Sequence, residues 1–312
     1  MTGKELNIVF MGTPEFAVAS LRRLVDSGYR IAGVVTTPDK PAGRGRMVRQ
    51  SAVKQYALQQ GLPVLQPEKL KSPEFIRQLA AWKADLQVVV AFRMLPEAVW
   101  AMPRIGTFNL HASLLPQYRG AAPINRAIIN GEPRTGVTTF MLDYEIDTGK
   151  ILFQEAIDIA PDDTAGDIHD RLMDIGASLV LKTVDAIGAD ACTPVSQSQL
   201  VTGTLHAAPK IFHEDCRIDW TCSGNKIRNL IRGLSPYPAA WTELHIGGTL
   251  LQMKVFAAEF VPCTAPAPAT VDSDGKKHLK VAAADGWLSL TDIQIAGKKR
   301  MPIDEALRGL RI

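Results

Sequence analysis

Apolar positions in the first half of the chain fall into two alternating patterns. Short aliphatic runs occupy 6–11, 31–35, 86–91, 106–111, 137–142 and 151–157. Stretches with apolar residues at helical spacing lie near 51–60, 73–82, 121–130 and 164–187. A further helix follows the first run, with Phe16, Ala19 and residues 21–24 on its buried face. Thr13 is suited to cap that helix and Pro14 to occupy its first turn. Continuous apolar strands alternating with helices predict an α/β domain, built on a mostly parallel sheet covered on both faces.

The pattern changes after the long helix. Residues 191–209 are rich in Ser, Thr, Gln, Ala and Pro, lack any period, and read as a linker between domains at 1–190 and 210–312. Beyond it, strand-like runs at 240–245, 250–256, 277–283 and 287–295 are separated by Gly and Pro turns, which predicts a small β-barrel or sandwich. The Pro/Ala-rich stretch 262–268 reads as a surface excursion.

Composition narrows the class. A chain of 312 residues, 46% hydrophobic and 21% charged, suits two soluble globular domains. No apolar run approaches the roughly 20 residues that span a bilayer. The first apolar stretch is too short for a signal peptide, so a cytoplasmic location without membrane attachment is expected. Four cysteines, at 192, 216, 222 and 263, show neither zinc-ligand spacing nor a disulfide framework and are expected to be reduced, with no metal. With no large patch to argue otherwise, the expected state is a monomer. Net charge is +3, and residues 206–312 carry all of it, with 14 Lys/Arg against 11 Asp/Glu. Lys40, Arg44, Arg46, Arg49 and Lys54 form a local cluster free of acids.

One stretch carries chemistry. Asn109 and His111 stand two apart, so on an extended strand both point to one face. They end a strand of a parallel sheet, where such sheets place their ligands. A carboxamide can stabilise a developing oxyanion, and an imidazole can exchange a proton near neutral pH. Asp147, just before the next strand, is suited to orient the histidine. The plainer alternatives are a sheet-edge pair and a turn aspartate in Asp-Thr-Gly. Gly43-x-Gly45 lacks the third glycine of a dinucleotide fingerprint and follows the wrong strand.

Asn109-x-His111, then Ser-Leu-Leu-Pro-x-x-Arg-Gly-Ala-Ala-Pro-Ile through residue 124, then Asp147-Thr148-Gly149, resembles the signature of the folate-dependent formyltransferase family. The likeness extends to 11–17, 38–46, 61–64 and 297–301, nearly the full length. Where the family reads Ala-Tyr/Phe-Gly-x-Ile/Leu-Leu-Pro, this chain has Ala91-Phe92-Arg93-Met94-Leu95-Pro96, one residue shorter and without the glycine. The resemblance implies a Rossmann-like catalytic domain followed by an OB-like β-barrel. It implies 10-formyltetrahydrofolate as formyl donor, with Ser113, Leu114, Leu115 and Pro116 in the folate site. By the same resemblance, Asn109 would hold the oxyanion, His111 would aid proton transfer and Asp147 would orient it. The chain is most similar to the branch whose acceptor is methionyl initiator tRNA, which would make Lys40, Arg44 and Arg46 tRNA contacts and 210–312 a tRNA-binding domain. Taken alone, the basic loop and the triplet 298–300 would read as solvated surface. Sugar-amine and glycinamide ribonucleotide formyltransferases, and a non-enzymatic RNA-binding protein on the same fold, are the competing expectations.

Overall fold

The computed structural model describes residues 3–42, 47–264 and 266–308. Arg44 and Arg46 therefore lie outside the described residues. The chain divides into two compact units that interleave in sequence. Residues 1–120, 136–157 and 169–207 make the first, and 121–135, 158–168 and 208–312 the second.

In chain order the first half contains β1 (Ile8–Gly12), α1 (Glu15–Asp26), β2 (Ile31–Val35), β3 (Lys40–Ala42), β4 (Met47–Arg49), α2 (Ala52–Gln59), β5 (Val64–Leu65) and α3 (Pro73–Ala81). There follow β6 (Leu86–Val90), α4 (Glu97–Trp100), β7 (Gly106–His111), β8 (Arg119–Gly120), α5 (Pro123–Ile129), β9 (Arg134–Met141), β10 (Ile151–Asp158), α6 (Ala165–Gly188) and, later, the short β11 (Ala207–Ala208). Seven strands form one sheet in the order β10-β9-β7-β6-β1-β2-β5. The pairs β1–β2, β1–β6, β2–β5 and β6–β7 are parallel, while β7–β9 is antiparallel. Every residue of β1 and β6 is buried, as expected for strands covered on both faces. Val9, Met11, Val35, Phe75, Leu79, Val89 and Val99 form one core cluster.

Side chains cap some helix starts and not others. Ser51 and Ser72 cap α2 and α3 by accepting the N–H groups of Lys54 and Phe75. At α1 the cap position is held by Pro14, extended at φ −82°, and no side chain caps the helix. Thr13, expected to cap, instead lends its carbonyl to the Val53 N–H, and its buried hydroxyl has no partner among the described residues. Proline starts the helix through its restricted φ alone.

The second unit holds α7 (Gly224–Leu234), β12 (Ala240–Ile246), β13 (Thr249–Pro262), β14 (Val271–Ser273), β15 (Leu279–Ala283), β16 (Gly286–Ile295), β17 (Met301–Pro302) and α8 (Ile303–Arg308). Five strands run in the order β12-β13-β16-β15-β14, with β17 added on β16, and the pairs are antiparallel. The sheet curls into a half-barrel. Register shifts between Val255 and Ala258 bend the 14-residue β13. The core gathers Trp220, Ile227, Ile231, Leu234, Leu244, Val255, Leu288 and Ile293. Ile227, Ile231 and Leu234 lie at helical spacing on α7, which Ser223 caps. A Cβ on Gly224 would stand 2.0 Å from the Phe260 ring, so the helix approaches β13 only because that residue lacks a side chain.

Two expectations change in detail. The 191–209 stretch contains a bridge from Val195 to Ile151 and a 3₁₀ turn, Gln197–Leu200, with Gln197 buried. The basic stretch after β2 is a two-stranded hairpin, with Lys40 paired to Arg49.

Candidate active site

β7 ends on the motif residues. Asn109 pairs in register with Val89 of β6 and Phe140 of β9, and His111 with Thr138 of β9. Backbone alternation puts Asn109 and His111 on one face. The half-buried Asn109 carboxamide has no hydrogen-bond partner among the described residues. An amide held on a strand with its N–H groups unclaimed is a donor ready for a ligand oxygen.

His111 is 6% exposed. Its Nε2 lies 2.9 Å from the Tyr118 carbonyl oxygen. A carbonyl only accepts, so Nε2 carries the proton. Nδ1 is then the nitrogen free to take up or release a proton, and it faces Asp147 Oδ2 at 3.9 Å. When Nδ1 is protonated, that carboxylate balances the charge.

Asp147 follows β9 at φ +55°, a left-handed conformation unusual outside glycine. Its Oδ2 accepts the Gly120 N–H at 3.0 Å. The Gln197 amide donates to the Asp147 carbonyl at 2.9 Å and to the Gly149 carbonyl at 2.8 Å. Gly149 is required here, since a Cβ would come within 1.7 Å of the Met141 oxygen. Asn109, His111 and Asp147 thus belong to one constellation, with an unpaired amide two residues from a histidine that a carboxylate faces.

Ser113, Leu114, Leu115 and Pro116 form the turn after β7. Ser113 is fully buried and its hydroxyl donates to the Gln117 carbonyl at 2.6 Å. Thr138 Oγ1 donates to the Ser113 carbonyl and accepts the Leu115 N–H, while Gln154 donates to the Leu115 carbonyl. Leu115 packs with Phe140 and Ile151. The side chains of Ser113 and Leu115 therefore serve the turn itself, and its outer surface is what a ligand would meet.

In the 91–96 segment, Ala91 has φ +47° and Met94 is exposed. The Arg93 guanidinium donates to the carbonyls of Pro67 and Glu68, and burial lowers its pKa. In the basic cluster, Lys40 is exposed on β3. Lys54 pairs with Asp39 at 2.6 Å, and that contact first, then Gln66, lowers the Asp39 pKa. Arg300 pairs with Asp292 at 2.6 Å and lies over the Phe256 ring.

Sequence reasoning missed Gln197 and the Tyr118 carbonyl, and gave no role to Arg119, although the motif contains it. Gln197 accepts from Arg119 at 3.0 and 2.7 Å. Nothing in a Ser/Gln-rich stretch marks one glutamine as buried, and only the fold brings it to Asp147. Among the described residues there is no group of three or more His, Cys, Asp or Glu able to hold a metal ion, and no helix is long and apolar enough to cross a membrane.

Comparison with known proteins identifies the family. Residues 6–184 match the Formyl transferase family and residues 210–311 the Formyl transferase C-terminal domain. A methionyl-tRNA formyltransferase of Bacteroides thetaiotaomicron is 57% identical over 315 residues, covering 100% of this chain and 98% of that protein. Among solved structures, HypX from Aquifex aeolicus superposes with a TM-score of 0.66 at 16% identity, over 97% of this chain and 49% of its own. An N-formyltransferase from Helicobacter canadensis superposes with a TM-score of 0.64 at 20% identity, over 94% of this chain and 100% of its own. These two likenesses establish the fold alone. The chain belongs to the formyl transferase family, in its methionyl-tRNA formyltransferase branch.

Proposed function

We propose that the protein transfers the formyl group of 10-formyltetrahydrofolate to the free α-amino group of methionyl initiator tRNA, giving N-formylmethionyl-tRNA for translation initiation. The observation that carries the chemistry is the buried His111, faced by the partly buried Asp147, two residues along β7 from an Asn109 amide with no partner among the described residues. Full-length likeness to methionyl-tRNA formyltransferases supports the choice of acceptor.

The donor supplies an activated one-carbon acyl group, and an unclaimed amide donor next to a proton-exchanging histidine fits that group. Asn109 holds the formyl oxygen as it gains negative charge. The amine nitrogen forms the new C–N bond directly, through a tetrahedral intermediate, and the bond to the folate nitrogen breaks. His111 Nδ1, steadied by Asp147, takes the proton released by the amine and returns it to the folate nitrogen as the C–N bond to that nitrogen breaks. The residues flanking His111 hold no serine or cysteine beside its free nitrogen, which favours direct transfer over a formyl-enzyme. The turn Ser113, Leu114, Leu115 and Pro116 borders the donor.

On this reading residues 1–190 form the catalytic domain, 191–209 a connecting segment and 210–312 a tRNA-binding domain. Lys40, Arg44 and Arg46 meet the tRNA, and the protein works as a cytoplasmic monomer without a metal. The test supplies labelled formyl donor together with methionyl initiator tRNA, glycinamide ribonucleotide or an amino-sugar nucleotide. Label on the methionyl-tRNA alone is the expected result. Label on either small amine in its place overturns the acceptor assignment.

A further inference from the structure

We infer that the segment 195–206 is a positioning brace for the His111–Asp147 pair, acting chiefly through Gln197. This rests on the catalytic reading above, and it adds residues that the motif does not contain.

Gln197 is 2% exposed and its amide is fully engaged. Nε2 donates to the carbonyls of Asp147 and Gly149, and Oε1 accepts two bonds from Arg119. These contacts join the two chain segments that hold the carboxylate. One is the Asp147–Gly149 turn, where Asp147 keeps a left-handed φ. The other is the stretch next to Gly120, whose N–H binds Asp147 Oδ2. A residue held at φ +55° needs neighbours that over-determine it, and Gln197 fixes the carbonyls of this turn.

The same segment reaches the histidine. Gln117 donates to the Thr204 carbonyl at 2.9 Å and accepts the His206 N–H at 2.8 Å. The His206 carbonyl accepts the Tyr118 N–H at 2.7 Å. Tyr118 in turn offers its carbonyl to His111 Nε2. The Val195–Ile151 bridge anchors the start of the segment to β10. The groups that orient Nδ1 and the carboxylate are therefore one hydrogen-bonded step from residues 197–206. A plain connector would leave its polar groups to water. Here Gln197 is directed to the carbonyls and the arginine around the pair, and the backbone at Thr204 and His206 to Gln117 and Tyr118.

The test uses the full chain with 10-formyltetrahydrofolate and methionyl initiator tRNA. Gln197→Met keeps the length of the side chain and removes every polar contact. Gln197→Glu keeps the acceptor for Arg119 and removes the donors to Asp147 and Gly149. Both should lower kcat about tenfold or more, because a small misplacement of a catalytic group is costly. KM for the formyl donor should stay within about twofold of the parent, since ground-state binding is untouched. In an Asp147→Asn background Gln197→Met should add less than about threefold, as expected of a residue acting through the aspartate.

Parent-like kcat in Gln197→Glu, or a full multiplication of the Gln197→Met loss onto Asp147→Asn, overturns the brace. If Gln197→Met does not fold, Gln197→Glu decides alone. His111→Ala and Asp147→Asn run beside them keep the two ideas apart. Parent-like turnover in those variants sinks the catalytic reading itself, whereas their collapse with normal Gln197 variants sinks only the brace.

Discussion

At the scale of single residues, the geometry makes unequal demands on the three polar groups. His111 has one nitrogen fixed on the Tyr118 carbonyl and one facing Asp147, so the proton exchange proposed for it falls to Nδ1. His111→Ala and Asp147→Asn should each cut turnover by roughly 10²-fold or more, the scale of general acid–base contributions. Affinity for the formyl donor, measured by equilibrium titration, should stay near the parent value in both. Near-parent turnover in either variant would reject the assignment. Asn109 and His111 were legible from sequence because strand alternation fixes their shared face without tertiary knowledge. Asp147 was legible through its motif. Gln197 was not, because a buried amide and an exposed one look alike in a polar stretch, and only its hydrogen bonds to the Asp147 and Gly149 carbonyls and from Arg119 separate them.

At the scale of elements, charge has to be divided by what it already touches. Lys54 is committed to Asp39, and Arg300 to Asp292 and Phe256, so neither is a free phosphate ligand. Lys40 is exposed on β3, and the proposed tRNA contacts also include Arg44, which lies outside the described residues. Arg44→Ala should raise KM for tRNA, leave donor binding intact, and reduce the log–log salt slope by about 0.7–0.9 for one lost phosphate contact. An unchanged KM and slope would remove Arg44 from the tRNA contacts.

The sheet offers a pH-dependent test of its own. Asp85, just ahead of β6, accepts the Asn7 N–H at 2.9 Å, and that bond is the main reason its pKa lies below the usual carboxylate value. Burial opposes the shift and Arg104 reinforces it. Because the folded pKa is the lower one, this stabilisation is present above the unfolded value of about 3.9 and is lost as pH falls through the folded value. Asp85→Ala should therefore cost about 1 kcal/mol near pH 7, the usual worth of one such bond. Thermal melts of variant and parent should converge in acid. A gap that persists undiminished at low pH would mean that packing, not the ionised carboxylate, makes the contribution. Long elements such as α6 and β16 follow readily from periodicity. β5, β8 and β17 have only two residues each and owe their existence to a neighbouring chain that sequence pattern does not show.

For the molecule as a whole, composition and apolar pattern predict two domains in succession, whereas the compact units interleave. The second unit contains α5 from the middle of the chain. Within that unit Asn125 donates to the Gly233 carbonyl at 2.8 Å, and a Cβ on Gly233 would meet Ile129 at 2.6 Å, so α5 and α7 are in close contact. Arg126 pairs with Asp215, and Arg228 with Asp162. Such a long-range arrangement leaves no mark on local periodicity, since α5 reads as an ordinary amphipathic helix wherever its partner lies. It has a measurable consequence. A fragment of residues 1–209 keeps α5 and residues 158–168 but loses α7 and the half-barrel sheet. Exposing Ile129 alone should cost about 1–2 kcal/mol, and the paired groups of Asn125 and Arg126 lose their partners as well. The fragment should melt well below the full chain, with a shallower transition, even when formyl donor is present. A fragment that melted cooperatively at the parent temperature would show that the contacts of α5 with α7 within the second unit contribute nothing to stability.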